Sequence, residues 1–365
     1  MSDLLQPTQR DIARKAQVTQ ATVSMALSNH PSISPETRER IQQISRELNY
    51  CPDPYLAGLC AYRRRTSTSR TYKATLAWLS NWHAPSTSRW LGVNSGYFDG
   101  ALARAHELGY SIEEHALLSP GMTPSRMERI LYARNIQGLL LPPQPRSGLT
   151  LDFCFDRFSV VTFGYTLEAP QFHTVTLHHY RAMETLFRKL LSLGYKRPGL
   201  ALSIQEDMRT DRIWSAAFWS EQRRLPQAGC IPFLMGQTLN QKQFMQWFRR
   251  YRPDVVIASN KEVHEWLMNA EVAVPEHTGF ALLGLESGER RFSGICQNPQ
   301  LTGAQAVVYL IDMLHRGERG IPKVRSHLLV DATWVEGDTV RKRDENTSSA
   351  NEKRTPRAKG QKVIG

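Results

Sequence analysis

One stretch near the amino terminus carries side chains that can make specific hydrogen bonds with a partner. Residues 20–27 read Gln-Ala-Thr-Val-Ser-Met-Ala-Leu. At 3.6 residues per turn, Val23 and Leu27 share the inner side of a helix, and the outer or lateral positions belong to Gln20, Ala21, Ser24 and Met25. A helix with a small, polar outer side suits the major groove of DNA, although helical hairpins also serve as plain packing modules.

Two further helices are predicted to hold this one in place. Residues 8–11 have the form of a capping box that opens a first helix, and Thr19 is the N-cap candidate of the second. The Ser-Pro-Glu sequence at 34–36 starts a third helix with an N-cap, a proline at the first helical position and an acid near the positive dipole end. The inward apolar positions are Ile12, Ala13, Ala16, Ile41, Ile44 and Leu48. The tight turn between the first two helices predicts a helix-turn-helix unit.

A longer motif covers this unit. The run T-x-x-D-I-A-x-x-A-x-V-T-x-x-T-V-S-x-A-L-S-N from Thr8, then I-S-P-E-T-R-E-R-I and E-L-N-Y-x-P, resembles the headpiece of the LacI/GalR family of bacterial transcription regulators. The resemblance implies that base edges are contacted by Gln20, Ala21, Ser24 and Met25. It also implies that DNA phosphates are held by Thr8, Thr19, Thr22, Ser28 and Ser34.

The chain departs from the family pattern at two headpiece positions. Many members have glycine in the turn where this chain has Gln17, and many have arginine where it has Met25. Methionine offers only apolar contact, for example with a thymine methyl group, so no bidentate guanine contact is available there. Gln20 can bond an adenine bidentately. The half-site is therefore expected to differ from those of members that carry the arginine.

A hinge is predicted over residues 54–73. Asp53-Pro54 combines an N-cap with a first-position proline, and the helix that follows is too short to be stable alone. In the family the corresponding segment folds on DNA, pairs with its dimer mate and inserts a leucine into the central minor-groove step, where this chain has Leu59. Alternatively, Leu56 and Leu59 dock on the rest of the protein. Asp53-Pro54 departs from the commoner family residues, which leaves the phosphate contacts there open.

The long middle of the chain alternates short apolar runs with helical patterns. Strands are predicted at 74–80, 111–118, 138–142, 159–164, 173–177, 198–203, 254–259 and 279–285, and helices at 95–108, 179–193, 212–224, 240–251 and 301–316. This alternation predicts βαβ units and parallel sheets. Leu-Gly-Tyr recurs at 108–110 and 193–195, with glycine at the predicted helix end, as if one half were repeated.

The middle of the chain resembles the family's sensor, a two-lobed periplasmic-binding-protein-like fold. The matching stretches include GYFDGALARAHELGYSI, LLSLGYKRPGLALS, RPDVVIASN and NPQLTGAQAVVYLIDMLHRG. The resemblance implies one lobe from 74–172 with 298–322 and another from 175–296 with 325–337. Ligands of open α/β sheets sit beyond the carboxyl ends of the strands, so a small-molecule effector, a sugar or related metabolite, is expected in the cleft between the lobes.

The expected effector-binding residues are Trp82, Trp90, Arg212, Asn260 and Glu286. Asn260 matches the family's Asn-Asp pair after a strand, whereas Lys261 departs from it, and His178 stands where an acid is usual. Glu286 takes the position of a frequent aspartate, and the register at Arg212 is loose. The tryptophans can stack on a sugar face or serve as core or lid packing.

Charge and composition bound the class of protein. The 365 residues carry a formal net charge of +12, with 41% hydrophobic and 22% charged residues, which excludes fibrous and wholly disordered proteins. Residues 1–73 hold 11 Lys/Arg against 6 Asp/Glu, and 341–365 hold 8 against 3, so both ends favour a polyanion. No apolar run or signal peptide indicates a membrane, and five scattered cysteines indicate neither disulfides nor zinc.

The sequence therefore predicts a bacterial, cytoplasmic, nucleoid-associated homodimer that binds a pseudo-palindromic DNA operator as a transcription regulator, with repressor the favoured sign. Its domains are a headpiece (1–53), the hinge (54–73), an effector-binding and dimerisation region (74–340) and a basic, disordered tail (341–365) that could serve DNA binding or only solubility. No enzyme motif, cofactor or metal site is expected. The rival hypotheses are a sugar- or nucleoside-processing enzyme with a DNA-binding head, and a solute-binding protein for transport.

Overall fold

The computed structural model describes residues 7–27, 30, 32–48, 50, 74–82, 93–286 and 288–343. Two compact units divide the chain. The first comprises Met1–Thr176 and Pro299–Leu328, and the second comprises Leu177–Asn298 and Leu329–Gly365. Among the described residues, none of the helices combines the length and the apolar character that crossing a membrane requires.

Three helices form the amino-terminal part of the first unit: α1 (Gln9–Ala16), α2 (Gln20–Leu27) and α3 (Pro35–Glu47). Each begins where the sequence predicts, after Thr8, Thr19 and Ser34. All three pack on one another through a small buried core of Ile12, Ala13, Ala16, Val23, Ala26 and Ile41. These small and medium side chains let the helices approach closely, and they leave the remaining faces of the helices to solvent.

The α/β part follows from residue 74. Its strands are β1 (Ala74–Ser80), β2 (Tyr110–Ala116), β3 (Gly138–Leu141), β4 (Leu149–Thr150), β5 (Ser159–Phe163), β6 (Leu167–Ala169), β7 (His173–Leu177), β8 (Pro198–Ser203), β9 (Leu234–Gly236), β10 (Val255–Ala258), β11 (Gly279–Leu285), β12 (Ser293–Cys296), β13 (His327–Val330) and β14 (Thr333–Val335). Its helices are α4 (Val93–Glu107), α5 (Pro124–Ala133), α6 (His179–Ser192), α7 (Ile204–Met208), α8 (Ile213–Gln222), α9 (Gln241–Tyr251), α10 (Glu262–Asn269) and α11 (Pro299–Arg316), with a 3-10 turn at Gln227–Gly229.

A six-stranded sheet in the order β13-β7-β5-β3-β1-β2 forms the first unit's core, and β4 pairs with β6 separately. The pairs β1–β2, β1–β3, β3–β5 and β5–β7 are all parallel. Helices α4 and α11 pack closely because Gly100 and Gly303 face the partner helix's backbone: a Cβ at Gly303 would lie 2.0 Å from the Tyr97 carbonyl oxygen.

The second sheet has the order β14-β12-β11-β10-β8-β9, with parallel pairing except between β12 and β14. Its strands are buried on both faces. Along β10, Val255 and Ile257 pack with α6 and α8, whereas Val256 and Ala258 pack with α9 and α10. A strand covered by helices on both sides reads as a continuous apolar run, which is why the sequence predicts β10 without alternation.

The predicted fold class is confirmed: a helix-turn-helix segment precedes an α/β region with parallel sheets. All eight predicted strands form, with ends shifted by up to two residues. The two Leu-Gly-Tyr repeats each end a helix before a strand, and Gly109 and Gly194 have φ of +81° and +90°, which favours glycine. The prediction omits α5, α7, α10 and six short strands.

Candidate nucleic-acid interface

The amino terminus of α2 is organised by two threonines. The Thr22 amide donates to the Thr19 hydroxyl oxygen at 3.1 Å, and the two hydroxyl oxygens lie 2.8 Å apart. The Val23 amide also donates to the Thr19 carbonyl at 3.1 Å. Thr19 is therefore the N-cap of α2, and both hydroxyls keep a lone pair or a proton for a further partner.

The outer face of α2 presents the predicted base-contacting residues together. Gln20, Ala21 and Ser24 are exposed, while Val23 and Ala26 are buried in the three-helix core. Met25 is half-buried, and its Sδ accepts from the Ser32 hydroxyl at 3.9 Å. The side-chain amide of Gln20 and the hydroxyl of Ser24 make no hydrogen bond to any other described residue. Gln20 and Ser24 can therefore meet base edges without first breaking a hydrogen bond to another described residue.

The turn before α2 is tight and left-handed. Gln17 has φ of +52° and ψ of +44°, a conformation that glycine adopts more readily. The Val18 amide returns to the Ala13 carbonyl at 3.1 Å, which closes the turn. The family's common glycine at this position is thus explained by the backbone, and Gln17 adopts the same conformation with a side chain.

Helix α1 begins with two hydrogen bonds from Thr8 to the carboxylate of Asp11. The Thr8 amide and hydroxyl both donate to the Asp11 carboxylate, at 2.9 and 2.7 Å. These hydrogen bonds, with a smaller contribution from Arg14, hold the pKa of Asp11 below its usual value. An ion pair of 2.7 Å between Lys15 and Glu47 joins α1 to α3 and lowers the pKa of Glu47.

The described phosphate candidates cluster at helix starts. Thr8, Thr19 and Ser34 each occupy the N-cap position of one helix, and Ser34 accepts from the Thr37 amide at 3.3 Å. Helix amino termini attract anions, so a hydroxyl at each start suits a phosphate. Two other predicted DNA contacts, Ser28 and the hinge residue Leu59, lie outside the described residues, as does the rest of the hinge.

The loop after α2 contains contacts that the sequence does not predict. Arg38 on α3 donates from Nη2 to the carbonyls of His30 and Ile33, at 3.1 and 3.0 Å. The His30 Nδ1 lies 2.7 Å from the Ser32 hydroxyl, which in turn reaches Met25. Arg38 therefore fixes the loop that borders the outer face of α2. No local pattern marks this arginine, because its partners are backbone carbonyls five and eight residues away.

Three predicted effector residues lie at one edge of the second sheet. Asn260 and Glu286 follow β10 and β11, which are adjacent and parallel, and Arg212 follows β8 through α7. The Asn260 Oδ1 accepts from the Val263 amide at 3.3 Å and so holds the start of α10. Arg212 and Glu286 are exposed.

The segment that carries Arg212 is fixed by hydrogen bonds between the residues on either side of it, Asp207 and Ser215. The buried Asp207 carboxylate accepts from the Ser215 amide at 3.1 Å and from its hydroxyl at 2.6 Å. Arg212 itself has a φ of +59° between these residues. The sequence does not single out Asp207, since an acid within a short helix has no distinguishing pattern.

The tryptophan candidates belong to the first unit. Trp82 follows β1 and is half-buried, and its Nε1 donates to the Pro143 carbonyl at 3.2 Å. This contact joins the segments that follow β1 and β3, which favours the packing alternative for the indole N–H. Trp90 lies outside the described residues. Over the described part of the chain, no group of three or more His, Cys, Asp and Glu could hold a metal ion.

Comparison with known proteins gives the same assignment for the amino-terminal segment. The family model "Bacterial regulatory proteins, lacI family" matches residues 8–53. Catabolite control protein A of Staphylococcus xylosus is 38% identical over 56 residues, 15% of this chain and 17% of that protein. The HTH-type transcriptional repressor CytR of Escherichia coli (strain K12) is 47% identical over 47 residues, 13% of this chain and 14% of that protein.

Other matches extend into the α/β region. The sucrose operon repressor of Escherichia coli is 26% identical over 189 residues, 52% of this chain and 53% of that protein. A transcriptional regulator CelR–cellobiose complex superposes with a TM-score of 0.54 at 17% identity, covering 91% of this chain and 99% of that one. A lac repressor dimer bound to operator and the anti-inducer ONPF gives 0.51 at 17%, covering 92% and 100%.

These matches confirm the predicted LacI-family resemblance, and the solved structures confirm the fold. The first relatives are matched over only 17% of their own length, so the resemblance in sequence is concentrated in the three-helix segment. Four of these proteins, namely CytR, the sucrose operon repressor, CelR and the lac repressor, are named as repressors or transcriptional regulators.

Proposed function

Because residues 8–53 are a lacI-family segment on a fold shared with regulators of that family, we propose that the chain is a DNA-binding transcription regulator and not an enzyme. One observation carries the proposal. The outer face of α2 presents Gln20, Ala21 and Ser24 to solvent beside a capped helix start, and Val23 on the opposite side is buried in the core. This is the arrangement that a recognition helix needs to lie in the major groove.

The base contacts follow from the side-chain chemistry. The Gln20 amide can donate to and accept from one adenine, and Ser24 can bond any base edge. Met25 supplies apolar contact with a thymine methyl group, and its contact with Ser32 limits how far it can turn outward. Each bidentate pair is worth about 1–3 kcal/mol of discrimination, so Gln20 is the main determinant of the half-site.

Phosphate contacts set the position of α2 in the groove. Thr8, Thr19, Thr22 and Ser34 place hydroxyls at three helix starts, where the helix dipoles add a favourable potential. Ser28 belongs to the same proposed set by its place in the family motif. These residues carry no base preference, so replacing them should weaken binding to all sequences alike.

The regulator is proposed to act as a homodimer on a pseudo-palindromic operator, with Leu59 of each hinge inserted at the central minor-groove step. This part rests on the family motif, since the hinge lies outside the described residues. Leu59→Ala should weaken operator binding while leaving salt-dependent binding to random duplex nearly intact. Equal loss on both DNAs would reject the wedge.

A small-molecule effector is proposed to control DNA binding, with repression as the favoured sign. Arg212, Asn260 and Glu286 lie at the carboxyl ends of neighbouring strands, where open α/β sheets bind ligands. The Ser259 hydroxyl there is buried and makes no hydrogen bond within the described part of the chain. Trp82 and Trp90 are proposed to stack on a sugar face. The name of the sucrose operon repressor supports a sugar as the effector class.

Selection of bound duplexes from a random pool tests the function directly. The full chain should enrich a two-fold symmetric consensus, and one compound of a sugar panel should weaken or strengthen that enrichment. Gln20→Ala should alter the consensus, whereas Gln43→Ala, an exposed glutamine on α3, should not. No preference over scrambled competitor at moderate salt would overturn the proposal.

A further inference from the structure

A second basic surface lies in the second unit, away from the helix-turn-helix residues in sequence and in unit. It gathers at the amino ends of β8, β10 and β11, and three separate chain segments contribute to it: 196–197, 249–252 and 341–343. Its basic members are Lys196, Arg197, Arg249, Arg250, Arg252, Arg341, Lys342 and Arg343. We call this set the amino-edge basic surface.

Hydrogen bonds fix the three segments to one another. The Lys196 and Arg197 amides donate to the Asp254 carboxylate at 2.6 and 2.9 Å, and Arg197 Nη2 donates to the Tyr251 carbonyl at 2.7 Å. The Arg343 amide donates to the Leu193 carbonyl at 2.7 Å. These bonds bring the end of α9, the start of β8 and the segment 341–343 together, so the basic residues form one surface of defined geometry.

The described acidic residues in contact with this surface do not neutralise it. The Asp254 carboxylate accepts from two backbone amides and interacts electrostatically with Arg197 and Arg343, so it supplies one negative charge against eight positive ones. Glu276 is 3.7 Å from Arg341, in an exposed ion pair worth little in water. Five exposed cations have no ion pair within the described residues, namely Lys196, Arg249, Arg250, Arg252 and Lys342, and of these Arg250 lies over the Tyr251 ring.

Part of this charge has a structural explanation. Arg249 and Arg250 occupy the last turn of α9, where cations stabilise the helix dipole. That explanation does not reach Lys196, which precedes β8, or Lys342, which follows the last strand. The excess is also local, because residues 74–340 hold 27 Lys/Arg against 25 Asp/Glu and are close to neutral.

We propose that the amino-edge basic surface binds the phosphate backbone of double-stranded DNA without sequence preference, in addition to the contacts of the helix-turn-helix segment. DNA presents one negative charge per about 1.7 Å of helix axis, so several fixed cations can each meet a phosphate. Arginine forks bond phosphate oxygens bidentately, which suits the Arg-rich composition of the surface. Such contacts would retain the protein on DNA and add to non-specific affinity.

The test compares two matched full-length variants on a duplex that lacks any symmetric site. One variant carries Lys196→Gln, Lys342→Gln, Arg249→Gln and Arg252→Gln. The control carries the same four changes of type at exposed positions elsewhere: Lys242→Gln, Lys323→Gln, Arg146→Gln and Arg325→Gln. Lys242 lies at the other end of α9, and both variants keep residues 344–365, so net charge and tail are equal.

The measurement is the slope of log K against log salt concentration, with melting temperatures to show that both variants fold. Each lost phosphate contact reduces the slope by about 0.9, so the loss of four contacts should reduce the slope of the edge variant by about 3.6 relative to the control. Equal slopes for the edge variant and the control would overturn the proposal, even if an acidic protein were found to bind there. Because the probe has no operator, the outcome is independent of sequence-specific recognition.

Discussion

The outer face of α2 and the carboxyl edge of the second sheet both present polar candidate residues, but in different states. On α2, Gln20 and Ser24 are exposed and make no hydrogen bond within the described residues. At the sheet edge, Asn260 already holds the start of α10 through the Val263 amide. The side chains of α2 are therefore available for recognition alone, whereas Asn260 would have to serve binding and stability together.

The two regions also differ in the size of the core behind them. The three helices share six fully or nearly buried side chains, whereas the second sheet is packed on both faces by helices. A core in a segment this short rarely supplies more than about 3–5 kcal/mol. The recognition surface thus tolerates changes on its outer side and little change beneath it.

The same core truncation in the two regions gives the largest expected contrast. Ile41 and Ile257 are both fully buried, and truncation of either to alanine costs about 2–5 kcal/mol. That loss is comparable to the whole stability of the three-helix segment. Ile41→Ala should therefore abolish DNA binding, whereas Ile257→Ala should lower the melting temperature of a unit that stays folded.

Calorimetry and duplex binding on each variant measure this contrast. Ile44→Ala, at a partly buried position on α3, serves as the control and should retain DNA binding. Retention of full operator affinity by Ile41→Ala would show that the three-helix segment has a stability reserve that its core does not explain.

The second largest contrast is expected on acidification, because the second unit should lose stability at a higher pH than helix α1. Burial lowers the pKa of His179 on α6 to about 4, against an ordinary 6.5. The unfolded chain binds this proton first, so stability is full above about pH 6.5 and is lost as pH falls toward 4. At 1.36 kcal/mol per pH unit this loss is about 3 kcal/mol. In contrast, the lowered pKa of Asp11 preserves its contribution to α1 until pH falls below about 3.9.

Denaturant-induced unfolding, measured at several pH values, shows which region loses stability first as the pH falls. The stability of the second unit should fall between pH 6.5 and 4. His179→Phe should flatten part of that dependence because phenylalanine does not bind a proton, and its ring can keep the packing contact with Trp214. An unchanged pH profile in the variant would assign the acid sensitivity to other buried histidines, such as His264.

The contrast between regions also bears on what the sequence can predict. Periodicity alone places Val23 inside and Gln20 outside, because a helix of eight residues leaves few alternatives. The apolar run of β10 predicts a strand equally well, since a strand buried on both sides is continuously apolar. The Thr123-Pro124 start of α5 is a helix signal that the apolar pattern alone does not use, and Thr123 caps that helix.

Other features depend on tertiary contacts that no local pattern carries. Arg38 binds carbonyls of the loop after α2, and Met25 is turned partly inward by Ser32. The short strand β12 spans only Ser293–Cys296, and its pairing with β11 and β14 defines it rather than its own residues. Asn260 can be placed after a strand from sequence, but its role as a helix cap requires the position of Val263.

Replacing one side-chain amide in each region, Gln20 on α2 and Asn260 at the sheet edge, tests whether the first is available for binding alone while the second also stabilises the fold. Gln20→Ala should lower operator affinity by about 1–3 kcal/mol, a factor of roughly 5–150, without changing the melting temperature. Asn260→Ala should lower the melting temperature by removing a helix cap worth about 0.5–2 kcal/mol, as well as weakening any effector response. Thermal melts and fluorescence anisotropy on the same preparations would resolve the two patterns. A stability loss in Gln20→Ala equal to that in Asn260→Ala would remove the distinction.

The smallest expected effect concerns the left-handed turns. Gln17 before α2 and Arg252 after α9 have φ of +52° and +47°, where a side chain is strained and glycine is not. Each substitution by glycine relieves that strain but frees the unfolded chain, so the net gain should be about 0.5–1 kcal/mol. The same gain should raise the melting temperature more in the three-helix segment, because a smaller unit has a smaller unfolding entropy. If Gln17→Gly instead lowers stability, the glutamine side chain must make contacts that offset its backbone strain. Gln17 would then resemble Asn260, whose side chain is expected to serve both stability and binding.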